Sequence, residues 1–175
     1  MPQRYERQFM TPTTAFLQTL RPVIDLIGDR RFDEKLAADL AAACPPGSAT
    51  FEAIREACRS GVEDGWMGLQ GDDRRKGGRV IEPSPDCAGC SVDVVEIADI
   101  TGPHHAHPKG EICAVLAVTP GARFDGNSEG WAVYPPGSAH WPSATGGRLR
   151  VMFFLPGGEI AYSDDEASLR SGSSD

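Results

Sequence analysis

Apolar positions recur at helical spacing over the first third of the chain and at strand spacing over the rest. Phe16, Leu17, Leu20, Val23, Ile24 and Ile27 fall on one helical face. Pro22 lies inside this run, so a helix there either kinks or starts near it. Phe32, Leu36, Leu40 and Ala43 form a second stripe, stopped by Pro45-Pro46-Gly47. Ser48 or Thr50 can cap a third helix carrying Phe51, Ile54, Cys58 and Val62. The stretch from Gly65 to Gly78 reads as a loop, with Asp72 to Lys76 as a solvated charge run. From Arg79 the pattern changes to short strands separated by turn residues. Strands are expected at Arg79 to Ile81, Val92 to Ile97, Ile112 to Val118, Trp131 to Tyr134, Leu149 to Leu155 and Glu159 to Tyr162. Turns fall at Thr119-Pro120-Gly121, Asp125-Gly126-Asn127, Pro135-Pro136-Gly137, Gly146-Gly147 and Pro156-Gly157-Gly158. This spacing suggests an all-β sandwich or barrel behind a helical front. Residues 1–78 are then a helical segment packing on a barrel of residues 79–162, and 163–175 a polar, disordered tail.

Composition narrows the partners. The 175 residues carry a formal net charge of −8, which disfavours nucleic acid and anionic membrane as main partners. The longest apolar runs, such as Val151 to Leu155, are too short to span a bilayer. The first eight residues hold no apolar signal segment, so a cytoplasmic location is expected. The five cysteines show no disulfide framework. Cys87 and Cys90 form a CxxC, which reads as half a zinc site, a redox pair, or simply two thiols in a Pro/Gly-rich loop. No second CxxC completes a four-sulfur site. No GxGxxG or P-loop pattern is present, so no NAD, flavin or nucleotide is expected.

The candidate chemistry lies in the histidines. The chain has four, His104, His105, His107 and His140, and three of them sit within four positions. On an extended strand His105 and His107 point to the same face. A short turn through Pro108-Lys109-Gly110 can return Glu111 to the same point, and His140 arrives after Pro135-Pro136-Gly137. Three imidazoles and a carboxylate suit one divalent transition metal with open positions, with iron, manganese, nickel and zinc all compatible. His104 is one position out of phase and should face away, as a supporting group or a wall residue.

His105-x-His107-x-x-x-Glu111 followed by Pro135-x-Gly137-x-x-His140 resembles the two signature motifs of the cupin superfamily. Two departures affect turns: Val118 stands where the first motif usually ends in glycine, and the interval from Gly130 to Pro135 is one residue short. The resemblance implies a mainly β fold, a cupin double-stranded β-helix (jelly-roll) barrel preceded by an α-helical N-terminal segment. It carries the metal ligands onto His105, His107, Glu111 and His140.

Longer stretches are more specific. Ser91 to Val95, Gly102-Pro-His-His-Ala-His-Pro-Lys-Gly-Glu111, Ala122-Arg-Phe-Asp-Gly126 and Gly130-Trp-Ala-Val-Tyr-Pro-Pro-Gly-Ser-Ala-His140 resemble the 4-hydroxylaminobenzoate lyase family. So does the helical front with Cys58-Arg-Ser-Gly61 and Gly65-Trp66, and the likeness covers about residues 15 to 162. It implies conversion of 4-hydroxylaminobenzoate and water to 3,4-dihydroxybenzoate (protocatechuate) and ammonia, in nitroaromatic degradation, by a homo-oligomer. An arginine holding the carboxylate of a small aromatic substrate by paired hydrogen bonds is expected in such a reaction. Arg79, Arg123, Arg148 and Arg150 are candidates. Arg150 is preferred, because it alternates with Met152 and Phe154 on one strand face. The catalytic candidates are therefore Glu111, His104 and Arg150, with Arg150, Arg123, Trp131 and Tyr134 as substrate contacts. Glu96 reads as a buried acid or a surface residue, and Asp125 and Glu129 as turn residues. Two other readings fit the same motifs: a cupin dioxygenase acting on a small aromatic, and a non-catalytic small-molecule-binding cupin.

Overall fold

The computed structural model describes residues 10–163; the tail read as disordered lies, apart from Ser163, outside the described residues. Three helices open the chain. Helix α1 spans Pro12–Ile27, α2 Glu34–Ala43 and α3 Ala49–Glu63. Each begins where a side-chain oxygen accepts a backbone N–H that the helix leaves unpaired: Thr11 from Thr14, Asp33 from Leu36, Ser48 from Phe51. Ser48, not Thr50, is thus the third cap. Helix α1 runs through Pro22, whose side chain is exposed, so water can serve the carbonyl that lost its N–H partner.

The strands are β1 (Gln70–Gly71), β2 (Arg75–Ile81), β3 (Cys90–Ala98), β4 (His105–His107), β5 (Glu111–Ala117), β6 (Arg123–Phe124), β7 (Gly130–Tyr134), β8 (Ser138–His140), β9 (Ala144–Thr145), β10 (Arg148–Pro156) and β11 (Ala161–Tyr162). A six-stranded antiparallel sheet has the order β1-β2-β3-β10-β5-β7. Facing it are a three-stranded sheet, β11-β4-β8, and the pair β6-β9. This is the mainly β, cupin-type architecture with a helical front that the motifs imply.

The large sheet is covered on both faces, which explains why β5 is buried along nearly its whole length. One face meets the helices. Phe16, Leu20, Leu36, Leu40, Phe51 and Ile54 pack there with Val92, Val94, Ile112, Ala114, Met152 and Phe154. Burial of each large side chain contributes about 1.5–3 kcal/mol. The other face turns inward, with Ile97, Cys113, Val115 and Val151 packed with Phe124 and Ala144 of the opposing strands.

The sheet starts earlier than the sequence pattern places it. Residues 75–78, read as loop, pair with β3 in the register Arg75↔Ile97, Gly77↔Val95. Asp72 forms the turn before them, its Oδ1 accepting the backbone N–H groups of Arg74 and Arg75. A strand at the sheet margin needs no apolar side chain to be held, because its backbone supplies the bonds. Val118 is 42% exposed, and the turn after β5 is made by Gly121 at φ +83°.

Candidate metal centre

The pairing of β4 with β8 builds the centre. Its register sets His105 opposite His140 and His107 opposite Ser138, so three imidazoles reach one point from two strands. His140 Nε2 lies 3.0 Å from His105 Nε2 and 3.0 Å from His107 Nε2. Among the described residues these three form the group that could hold a metal ion.

Partners on the other ring nitrogen set the tautomer of two of the three rings. His105 Nδ1 faces the Pro103 carbonyl at 3.0 Å, so it carries the proton. His140 Nδ1 donates to Asp125 Oδ2 at 2.6 Å. His107 Nδ1 stands 3.4 Å from Glu111 Oε2, without the geometry of a hydrogen bond. Each of His105 and His140 therefore turns an unprotonated Nε2 toward the shared point. Burial, joined by the charge of the neighbouring histidines, depresses the pKa of His105 to about 4 and that of His107 to about 3. His104 and Arg75 add to the effect at His105. Three ring nitrogens within hydrogen-bond distance about one point can share a cation there, so the donor set fits a divalent transition metal.

Glu111 occupies a different position from the one expected of it. It is buried at the start of β5, and it stands outside the group of three. Its Oε1 accepts from the Cys113 thiol at 3.0 Å, and its Oε2 faces the Nδ1 side of His107. Burial pushes its carboxyl up to about 8, against the lowering effect of the Cys113 bond. It lines the cavity beside the histidines.

Asp125, read as a turn residue, belongs to the centre. It sits at φ +49°, a conformation that Asp tolerates better than most residues. Its carboxylate accepts from His140 Nδ1, from Tyr134 Oη at 2.6 Å and from the Ser143 backbone N–H at 2.7 Å. Burial would raise its pKa, but those bonds outweigh burial and hold it below the usual carboxylate range. In sequence it is marked only by its place in the Ala122-Arg-Phe-Asp-Gly126 stretch, where an Asp-Gly pair also reads as a turn.

A cavity of about 260 Å³ opens beside the histidines. A cavity of about 150 Å³ takes up benzene, so there is room for a substituted ring. Val95, Ile97, Val151, Phe153 and Leu155 of the large sheet form one wall, and His105, His140, Phe124 and Tyr162 the other. Arg75 and Gln70 stand at its edge.

Several expected substrate contacts lie elsewhere. Arg150 does not line the cavity; it faces the helical layer with Met152 and Phe154 and bonds Glu96 across the strands at 2.8 Å. The phase of β10 was right, but the face it shares with Met152 is the one the helices cover. Glu96 is half-buried and also holds Arg148 at 2.9 Å. Arg123 is exposed and donates to the Gly126 carbonyl. Trp131 packs edge-on against Phe51 and donates its indole N–H to the Cys44 carbonyl, so it belongs to the helix–sheet interface. Tyr134 does not line the cavity; it supports Asp125 and lies 4.7 Å, centroid to centroid, from His140. Arg79 bonds Asp93 and the Gly158 carbonyl. His104, facing away as its phase predicts, meets Ser163 and the Trp141 ring and is not a cavity group. Cys87 and Cys90 are buried free thiols, their pKa values pushed by burial up to about 11 and about 12.

No helix among the described residues is long and apolar enough to cross a membrane. The family model of 4-hydroxylaminobenzoate lyase (PnbB) matches residues 18–162. A protein named 4-hydroxylaminobenzoate lyase from Nocardioides sp. (strain LMS-CY) is 31% identical over 150 residues, which is 81% of this chain and 89% of that one. Another of the same name, from Pseudomonas putida, is 30% identical over 135 residues, 67% of this chain and 76% of that one. Among solved structures, an RmlC-like cupin protein from Ralstonia eutropha JMP134 is similar at 16% identity and a TM-score of 0.40, over 57% of this chain and 66% of that one. The match of the family model across residues 18–162, together with both curated relatives, places this chain in the 4-hydroxylaminobenzoate lyase family.

Proposed function

We propose that this protein is a metal-dependent lyase that converts 4-hydroxylaminobenzoate and water to 3,4-dihydroxybenzoate and ammonia. The observation that carries the metal half of this reading is the convergence of imidazole nitrogens whose protons are held on their far sides by Pro103 and Asp125. The lyase names of the two relatives support the reaction half. The conversion is redox-neutral: the N–O bond is reduced while the ring gains an oxygen, so it needs neither nicotinamide nor flavin.

His105, His107 and His140 would hold the metal, which when bound supplies Lewis acidity toward a substrate oxygen. Asp125 keeps the His140 proton on Nδ1 and so keeps Nε2 available. The Glu111 carboxyl, on the cavity wall, gives a proton to the departing hydroxylamino oxygen and afterwards takes one from the incoming water. Val95, Ile97, Val151 and Phe153 hold the ring and exclude bulk water.

The test is anaerobic incubation of the metal-loaded protein with 4-hydroxylaminobenzoate, assaying ammonia and 3,4-dihydroxybenzoate, beside chelator-treated protein and His105→Ala. Stoichiometric release of both products, lost with chelator and in the variant, is expected. Turnover only in the presence of oxygen would replace the lyase reading with a dioxygenase. No turnover under either condition, in protein shown to hold metal, would overturn the reaction.

A further inference from the structure

We infer that Arg75 is the specificity-determining residue of this cavity, pairing with the carboxylate of an aromatic acid whose reacting end lies at the histidines. The inference rests on the proposed function and assigns the residue that recognises its substrate class.

Three observations carry it. Arg75 projects from the cavity face of β2, across from Ile97, and lies at the cavity edge. Its backbone is fixed on both sides, since its N–H donates to Asp72 Oδ1 and its carbonyl accepts from the Asp72 N–H. Among the described residues its guanidinium has no ion-pair partner, whereas Asp93, an acid further along the cavity wall, pairs with Arg79 at 3.1 Å. A cation with no internal partner stands at the edge of a cavity walled on one side by Val95, Ile97, Val151 and Phe153.

The shape of β2 completes the site. After Lys76, which takes the opposite strand face in register with Glu96, come Gly77 and Gly78, and a Cβ built on Gly77 would come within 2.8 Å of Val95 Cγ2. No side chain from β2 therefore stands between Arg75 and the cavity. Gln70, in register with Gly77, adds an amide at the same edge. The histidines lie on the facing sheet, so the cavity has a cation at its edge, apolar side chains of the large sheet on one wall and the histidine cluster on the other. A planar ring with a carboxylate on one end and the reacting substituent para to it matches that order of groups. The guanidinium can hold both carboxylate oxygens at once. On a chain of net charge −8, it also offsets repulsion of an anionic substrate at the entrance.

The experiment is calorimetric titration of zinc(II)-loaded wild type, Arg75→Ala and Arg75→Lys with 4-hydroxybenzoate and with its neutral amide, 4-hydroxybenzamide. Wild type should prefer the acid. Arg75→Ala should weaken the acid by about tenfold to hundredfold and leave the amide within twofold. Arg75→Lys should recover part of the loss. In turnover of 4-hydroxylaminobenzoate, Arg75→Ala should raise KM far more than it lowers kcat. Unchanged acid binding in Arg75→Ala, equal loss of both ligands, or no preference for the acid in wild type would each overturn the inference. The titrations need no turnover, so a protein that binds the acid through Arg75 but fails to release ammonia would sink the lyase reading and leave this one standing.

Discussion

Replacing Asp125 with Asn tests whether the histidine tautomers are held from outside the cluster. Asn keeps the size of the side chain and tolerates φ +49°. It cannot keep all three donors. If its oxygen stays with the Ser143 N–H, its NH₂ faces the His140 and Tyr134 donors, and His140 must move its proton to Nε2, into the cluster. If the amide is turned over, its NH₂ meets the Ser143 N–H instead. Both orientations lose the negative charge, which reduces the His140 bond from about 1.5–3 to about 0.5–1.5 kcal/mol. That difference alone is about fivefold to tenfold in metal affinity, and the tautomer change extends it toward a hundredfold. The assay is competition between the protein and a zinc(II) chelator of known affinity. Tyr134→Phe is the control: it removes a donor to the same carboxylate but leaves the His140 bond, so its affinity should fall by less than about threefold. Affinity of Asp125→Asn within twofold of wild type, or an equal loss in Tyr134→Phe, would refute the reasoning.

Three further outcomes are expected. Glu111→Gln should bind zinc(II) with wild-type stoichiometry yet release no ammonia, since the carboxyl lies outside the histidine group; a metal-free Glu111→Gln protein would restore Glu111 as a ligand. Metal-free protein should lose stability as pH falls from about 6.5 toward 4, because the unfolded chain takes up protons that buried His105 and His107 accept only near 4 and 3. Glu111, raised to about 8, acts in the opposite direction and stabilises as pH falls from 8 toward 4.5; the histidine effect is therefore read in Glu111→Gln, and a thermal midpoint there that stays flat between pH 6.5 and 4.5 contradicts it. Gly110→Ala should lower the thermal midpoint by several degrees, since Gly110 has φ +88° and an added Cβ would lie 2.8 Å from the Tyr134 carbonyl oxygen; a midpoint within one degree of wild type, as a rough threshold, would show that the backbone gives way there.

The helices and the histidine cluster were legible because each depends on local periodicity. Phe16 to Ile27 repeat at helical spacing, and His105 and His107 share a face on any strand that contains them. What the pattern left open for the long strands is which face lies inside. Alternation groups Arg150 with Met152 and Phe154, but only the helical layer packed on that face shows that it points away from the cavity. Arg75 was hidden for the converse reason: its strand is polar and glycine-rich, and it is a strand because β3 supplies backbone partners about twenty residues later in the chain. Asp125 and His140 are far apart in sequence by the scale of local motifs, and their bond exists because the barrel closes β6 against β9 beside β8. The sequence by itself determined the three helices, most of the long strands, the cluster of imidazoles and the family. The tertiary structure alone decided which charged groups face that cluster, because a period of two residues sorts side chains into two sets and leaves to packing the choice of which set is buried with the site.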